Sequence, residues 1–244
     1  HRGSINNEDC SSTVIIEKNF FTNDRPEFAS NYLSNAEKLI SSVKDKGMSL
    51  YIGLAATGSC YDWWQGPPET PGTGSYNVIN LSRKLIQGYQ NLCSTRGWDC
   101  SFVKGFYIPS EQAIHALTWP GNAEYFTAIS QMIRDLEPNK KILISPYKNE
   151  AVGYQQVYDA THWILTNTKI DIIAPQDAMG TGLVTSLETN RTQFQALHDA
   201  TIAVNARNSS KRAEAWANIE SYLPFQNGHQ VHAPPPLSRL LAQM

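Results

Sequence analysis

The chain has 244 residues, 41% of them hydrophobic and 17% charged, with a formal net charge of −2. This content suits a globular fold rather than disorder, and the absence of a basic excess argues against nucleic acid or an anionic membrane as the main partner. No run of eighteen apolar residues occurs, so no membrane span is expected.

His1-Arg2-Gly3-Ser4 reads as an expression-tag remnant, and residues 1–11 are set aside as that remnant and a tail. Residues 12–244 are expected to form one domain. Ser12 to Glu17 is β-branched and predicts a strand. Glu27 to Lys46 carries a helical apolar stripe (Phe28, Tyr32, Leu33, Ala36, Leu39, Ile40, Val43) with Gly47 where a terminating glycine belongs. Met48 to Leu54 predicts a second strand, followed by an aromatic, turn-rich stretch from Ala55 to Tyr76. Asn77 to Cys93 predicts a helix with Val78, Leu81, Leu85, Ile86 and Tyr89 on one side. Phe102 to Ile108 is a third strand, and Asn122 to Leu136 a helix ended by Pro138. The remaining strands are Lys141 to Tyr147, Asp171 to Asp177 and Ala213 to Ile219. Helices are expected at Tyr154 to Leu165, about Leu187 to Asn205 and Leu237 to Met244.

Of the four cysteines, Cys93 and Cys100 flank a short Arg-Gly-Trp-Asp loop that a disulfide would close, leaving Cys10 and Cys60 to pair. An even count fits a secreted or periplasmic protein; four reduced core cysteines are the other reading. None of the cysteine spacings suits zinc and the histidines are scattered, so neither a metal nor a cofactor is expected.

Near-continuous apolar strands alternating with helices predict parallel βα units. Polar residues gather at the strands' C-terminal ends, the end that carries chemistry in a TIM barrel. An open doubly wound sheet would also bind there, but no glycine-rich phosphate loop follows the first strand. The expected fold is therefore a TIM (β/α)8-type barrel. Six strands are legible where a closed barrel uses eight, so either one strand at each end lies outside the chain or closure is irregular.

Two of these strand ends deliver a glutamate, Glu111 after Gly105-Phe106-Tyr107-Ile108-Pro109-Ser110 and Glu220 after Trp216-Ala217-Asn218-Ile219. Two carboxyls facing each other across a barrel mouth are what glycosidic cleavage requires: one protonates the leaving oxygen and the other works on the opposite side of the sugar. Ordinary strand-end ion pairing is the bland alternative for both. Gln176 and Asp177 could hold sugar hydroxyls, or Asp177 could cap the loop that follows. Tyr147 could orient a catalytic carboxylate or pack at the rim, and Asn218 could face the interior beside Glu220 or merely finish its strand. Trp63, Trp64, Trp119 and Trp216 are candidate sugar platforms, because an indole face stacks on the apolar face of a pyranose. Trp98 and Trp163 read as structural.

Gly47-Met48-Ser49-Leu50-Tyr51-Ile52-Gly53-Leu54 with Trp63-Trp64, the Gly105–Glu111 stretch, Ile144-Ser145-Pro146-Tyr147, Asp171 to Asp177 and Trp216 to Glu220 together resemble the domain of unknown function 4434 family, bacterial proteins regarded as glycoside hydrolases. The resemblance runs over roughly residues 12 to 243. It implies a barrel related to the large clan of retaining glycosidases, whose acid/base glutamate follows the fourth strand and whose nucleophile follows the seventh. It thereby implies Glu111 as acid/base, Glu220 as nucleophile, and the first and eighth strands as those missing. One departure is Ser110, where that clan usually has the asparagine that helps hold the sugar 2-hydroxyl.

The function expected is thus a retaining glycoside hydrolase acting on a poly- or oligosaccharide. The rivals are a non-catalytic carbohydrate-binding barrel serving exopolysaccharide assembly or adhesion, and a barrel fragment with an interaction role.

Overall fold

In the computed structural model, which describes residues 37–55, 66–207 and 212–219, strands and helices alternate in the order the sequence predicts. After a helix at residues 37–45 (α1) come β1 (Leu50–Gly53), α2 (Gly74–Arg96), β2 (Val103–Ile108), α3 (Pro120–Leu136), β3 (Lys141–Ile144), α4 (Tyr154–Asn167), β4 (Ile172–Ile173), α5 (Leu187–Arg207) and β5 (Glu214–Ala215). All described strand pairs are parallel. The architecture is therefore α/β with a parallel sheet. The expected strand at Ser12–Glu17, the helix at Leu237–Met244, Cys10, Cys60, Trp63, Trp64 and Glu220 lie outside the described residues.

The chain divides into two compact units. Among the described residues, one contains 37–55, 66–107 and 132–140; the other contains 108–131, 141–207 and 212–219. In the first, β1 pairs with β2. α2 starts three residues before the predicted Asn77, because the Thr73 hydroxyl accepts the Tyr76 N–H and caps it. It ends at Gly97, whose φ of 61° supplies the left-handed turn; the Gly97 and Trp98 N–H groups return to the Ser94 and Cys93 carbonyls. Val78, Ile79, Ile86 and Tyr89 are its buried apolar side chains; Leu81 and Leu85 are only half-buried. The Cys93–Cys100 disulfide closes the loop as expected. Tyr89 packs edge-on against Phe106, and burial raises its phenol to about 12, with Glu137 and Asp99 adding repulsion.

In the second unit β3, β4 and β5 pair in chain order, while α4 packs on α5. β4 and β5 are two residues each, far shorter than predicted. The reason is chemical. Pro146 and Pro175 lack the N–H groups that would donate to the next rungs, so each ladder breaks there. Pairing resumes one residue later. Gln176 N–H reaches Pro146 O at 2.9 Å, Asn218 N–H reaches Pro175 O at 3.2 Å, and Asp177 N–H reaches Asn218 O at 2.9 Å. Parallel bridges join Ala113 to Tyr147 and Gln176 to Asn218. The predicted strand lengths thus survive as ladders interrupted by proline.

Candidate functional site

The register decides which side chains share a side of the β3–β4–β5 sheet. Leu143 pairs with Ile172 and Ile172 with Glu214; the Gln176–Asn218 bridge continues the same rows. Counting by twos, Ser145 and Tyr147 of the first segment, Ala174 and Gln176 of the second, and Trp216 and Asn218 of the third stand on one side. A side-chain bond corroborates this: Asn218 Nδ2 donates to Ser145 Oγ at 3.1 Å, reaching over the intervening segment where Ala174 leaves room. Tyr147 and Gln176 are half-buried, Asn218 is exposed, and Trp216 is 40% exposed with its indole N–H on Glu214 at 3.0 Å.

Asp177 goes the other way. Alternation turns it from Gln176, and its side chain is 1% exposed. Its Oδ1 accepts the Met179 N–H at 3.2 Å, which is the loop-capping role and not an open sugar-binding position. On the same side Lys148, also 1% exposed, donates to the Asn190 side-chain oxygen of α5 and to Asp177 O at 3.3 Å, and lies 4.3 Å from the Phe194 ring centre. A buried ammonium needs such partners. Lys148 was not singled out from the sequence; one residue beyond Tyr147, it is an inward charge that only the register reveals.

Glu111 is exposed and lies on the rim segment between β2 and the turn Ile114–Ala116. That segment is held firmly. Tyr147 N–H donates to Gln112 O at 3.0 Å, Ile114 N–H to Tyr147 O at 2.9 Å, and Asn122 Nδ2 to Ala116 O at 2.6 Å. Ser110 is buried and its hydroxyl is 2.8 Å from the Tyr125 hydroxyl on α3. The residue that departs from the clan's asparagine is therefore an anchor to the helix layer. Burial pushes the Tyr125 phenol up, partly offset by this bond. Trp119, 57% exposed, stands at the start of α3 with its ring edge-on to His115.

The next loops are tied to one another as well. The Glu150 carboxylate, held below its ordinary range chiefly by the Thr185 N–H at 2.7 Å, fastens the β4–α5 loop, and Gln193 donates to Asn149 O and Val152 O. Glu111, Tyr147, Gln176 and Asn218 thus belong to one rim of backbone-linked strand ends, with Trp119 and Trp216 on the same unit.

The family described as "Domain of unknown function (DUF4434)" matches residues 8–244. The chain belongs to this family. Among solved structures, DUF4434 residues here resemble a protein from Bacteroides thetaiotaomicron VPI-5482 described as a "putative alpha-L-fucosidase", with 18% identity, TM-score 0.58, and coverage of 85% of this chain and 59% of that one. They also resemble the intracellular xylanase TsXylA from Thermoanaerobacterium saccharolyticum JW/SL-YS485, with 15% identity, TM-score 0.52, and coverage of 91% and 63%. The chain spans less than two thirds of either structure, and at these identities the likeness is one of fold. No curated protein matches the chain. No described helix is long and apolar enough to cross a membrane.

Proposed function

We propose that this DUF4434 chain is a retaining glycoside hydrolase whose residues 12–244 form a single (β/α) barrel, exported from the cytoplasm, with Glu111 as acid/base and Glu220 as nucleophile. The observation that carries the reading is the rim: successive parallel strand ends, linked beyond their prolines, set Tyr147, Gln176 and Asn218 on one side of the sheet beside the segment bearing Glu111. The fold likeness to structures described as a xylanase and a fucosidase supports it. In the proposed cycle Glu220 attacks the anomeric carbon as Glu111 protonates the departing oxygen; Glu111 then deprotonates the water that releases the sugar. Gln176 and Asn218 hold hydroxyls, Tyr147 orients Glu220, and Trp119 and Trp216, with Trp63 and Trp64, supply stacking surface.

The test is hydrolysis of a panel of poly- and oligosaccharides and aryl glycosides. Glu111→Gln and Glu220→Gln should each lower turnover on natural linkages by on the order of 10²–10⁴-fold. Glu111→Gln should recover part of its first step on aryl glycosides with good leaving groups, which need no proton. The first-formed sugar should keep its anomeric configuration by NMR. Full activity in both variants would sink the assignment. Binding without hydrolysis by the wild type would leave the carbohydrate-binding barrel as the better reading.

A further inference from the structure

The first unit contains a cleft that shares no residue with the rim. Its volume is about 420 Å³, and Glu37, Lys38, Ser41, Ser42 and Trp98 line it. That is within the range of small-ligand sites, about 300–1,000 Å³.

The backbone that carries its aromatic wall is fixed twice. Trp98 follows the left-handed Gly97 that ends α2, and its N–H is bonded to Cys93 O at 2.9 Å. The Cys93–Cys100 disulfide then closes the loop two residues beyond it. A hydrophobic residue at this position commonly packs back on its own helix as part of the cap. Here Trp98 is only half-buried and forms a wall of the cleft. A loop whose backbone is fixed in advance needs little ordering when a ligand meets its aromatic.

The polar wall comes from one face of α1, since positions 37, 38, 41 and 42 recur at helical spacing. Arg96 binds Glu37 Oε1 at 2.6 Å and so fixes the carboxylate. Ser42 Oγ donates to Lys38 O at 2.7 Å, which leaves its oxygen an acceptor, and Ser41 Oγ donates to Asp45 Oδ2 at 3.4 Å. Glu37 is paired with Arg96, so of these three charges Lys38 is left as a single positive one, where a polyanion would call for a basic cluster. An indole beside fixed hydroxyls, a carboxylate and an ammonium is the chemistry that receives a neutral, hydroxyl-rich ring.

We propose that this cleft is a second carbohydrate-binding site, non-catalytic, that holds a neutral polysaccharide chain while the rim acts on it. The proposal rests on the reading of the rim as a glycosidase site, and its test separates the two. Affinity electrophoresis in gels containing soluble arabinoxylan, mixed-linkage β-glucan or galactomannan should retard the wild type in at least one. Trp98→Ala, and Ser42→Tyr, which occupies the cleft while keeping the tryptophan in the sequence, should each weaken that retardation about tenfold. Both should raise KM on the polymer and leave hydrolysis of short oligosaccharides unchanged. Circular dichroism checks folding, and if Trp98→Ala does not fold, Ser42→Tyr decides. Unchanged retardation with the cleft filled would overturn the proposal. So would hydrolysis of the panel with no retardation of the wild type, while the rim assignment would stand. Neither hydrolysis nor retardation across the panel would overturn both.

Discussion

The two sides of the β3–β4–β5 sheet are built from alternate residues of the same short segments, yet they are different chemical places. On one side Tyr147, Gln176, Trp216 and Asn218 remain partly open, with the Ser145–Asn218 bond laid across them. On the other, Ile142, Ile144, Ile173, Lys148 and Asp177 are buried, and Lys148 is engaged by α5. Neighbours in sequence, Tyr147 and Lys148 or Gln176 and Asp177, are thus sent to opposite environments by a single backbone step. A polar residue at a strand end is therefore a functional candidate only once its parity is known.

The largest effect expected from breaking this division is on the sealed side. Lys148→Met keeps most of the volume but strips the partner from Asn190 Oδ1 and Asp177 O. Stability measured by urea unfolding should fall by about 2–3 kcal/mol. A loss below about 0.5 kcal/mol would show that the ammonium's burial costs as much as its bonds return.

Tyr125→Phe should cost less, about 1 kcal/mol near neutral pH, since the buried Ser110 hydroxyl loses its partner. The pH dependence carries the sharper signature. Burial raises the folded phenol above its ordinary value, so as pH climbs past about 10 the unfolded chain releases a proton that the folded chain retains. The unfolded state is then favoured and wild-type stability falls. The phenylalanine variant lacks this contribution, and the two stability curves should converge in alkali. Parallel curves to high pH would place the phenol in contact with solvent.

The smallest effect tests the division itself. Asp177→Asn keeps the acceptor for the Met179 N–H and should leave glycan affinity unchanged, whereas Gln176→Ala should weaken it a few-fold. The reverse order would place the ligand on the sealed side.

Much of this was legible in the sequence. The order of strands and helices followed from period and composition, and the disulfide from two cysteines flanking a tight loop. Strand lengths did not follow, because the apolar runs continue through Pro146 and Pro175 and the missing N–H groups show only once partners are known. Asp177 read as a candidate because it ends a strand, but parity depends on register, which the run alone does not set. Ser110 read only as a departure from the clan's asparagine; that its hydroxyl meets Tyr125, fifteen residues on, is a pairing of two polar groups that no local pattern announces.

The Ser145–Asn218 bond skips a strand, and the residue that the register sets beside Ser145 on that strand is the small Ala174. Positions 145, 174 and 218 are therefore expected to constrain one another. A larger side chain at 174 would part the two ends, and a chain that drifted to valine there would gain little from keeping serine and asparagine on either side. Across relatives the three should change together or not at all, an inheritance unit of a hydroxyl, a methyl and an amide spread over 73 residues of sequence.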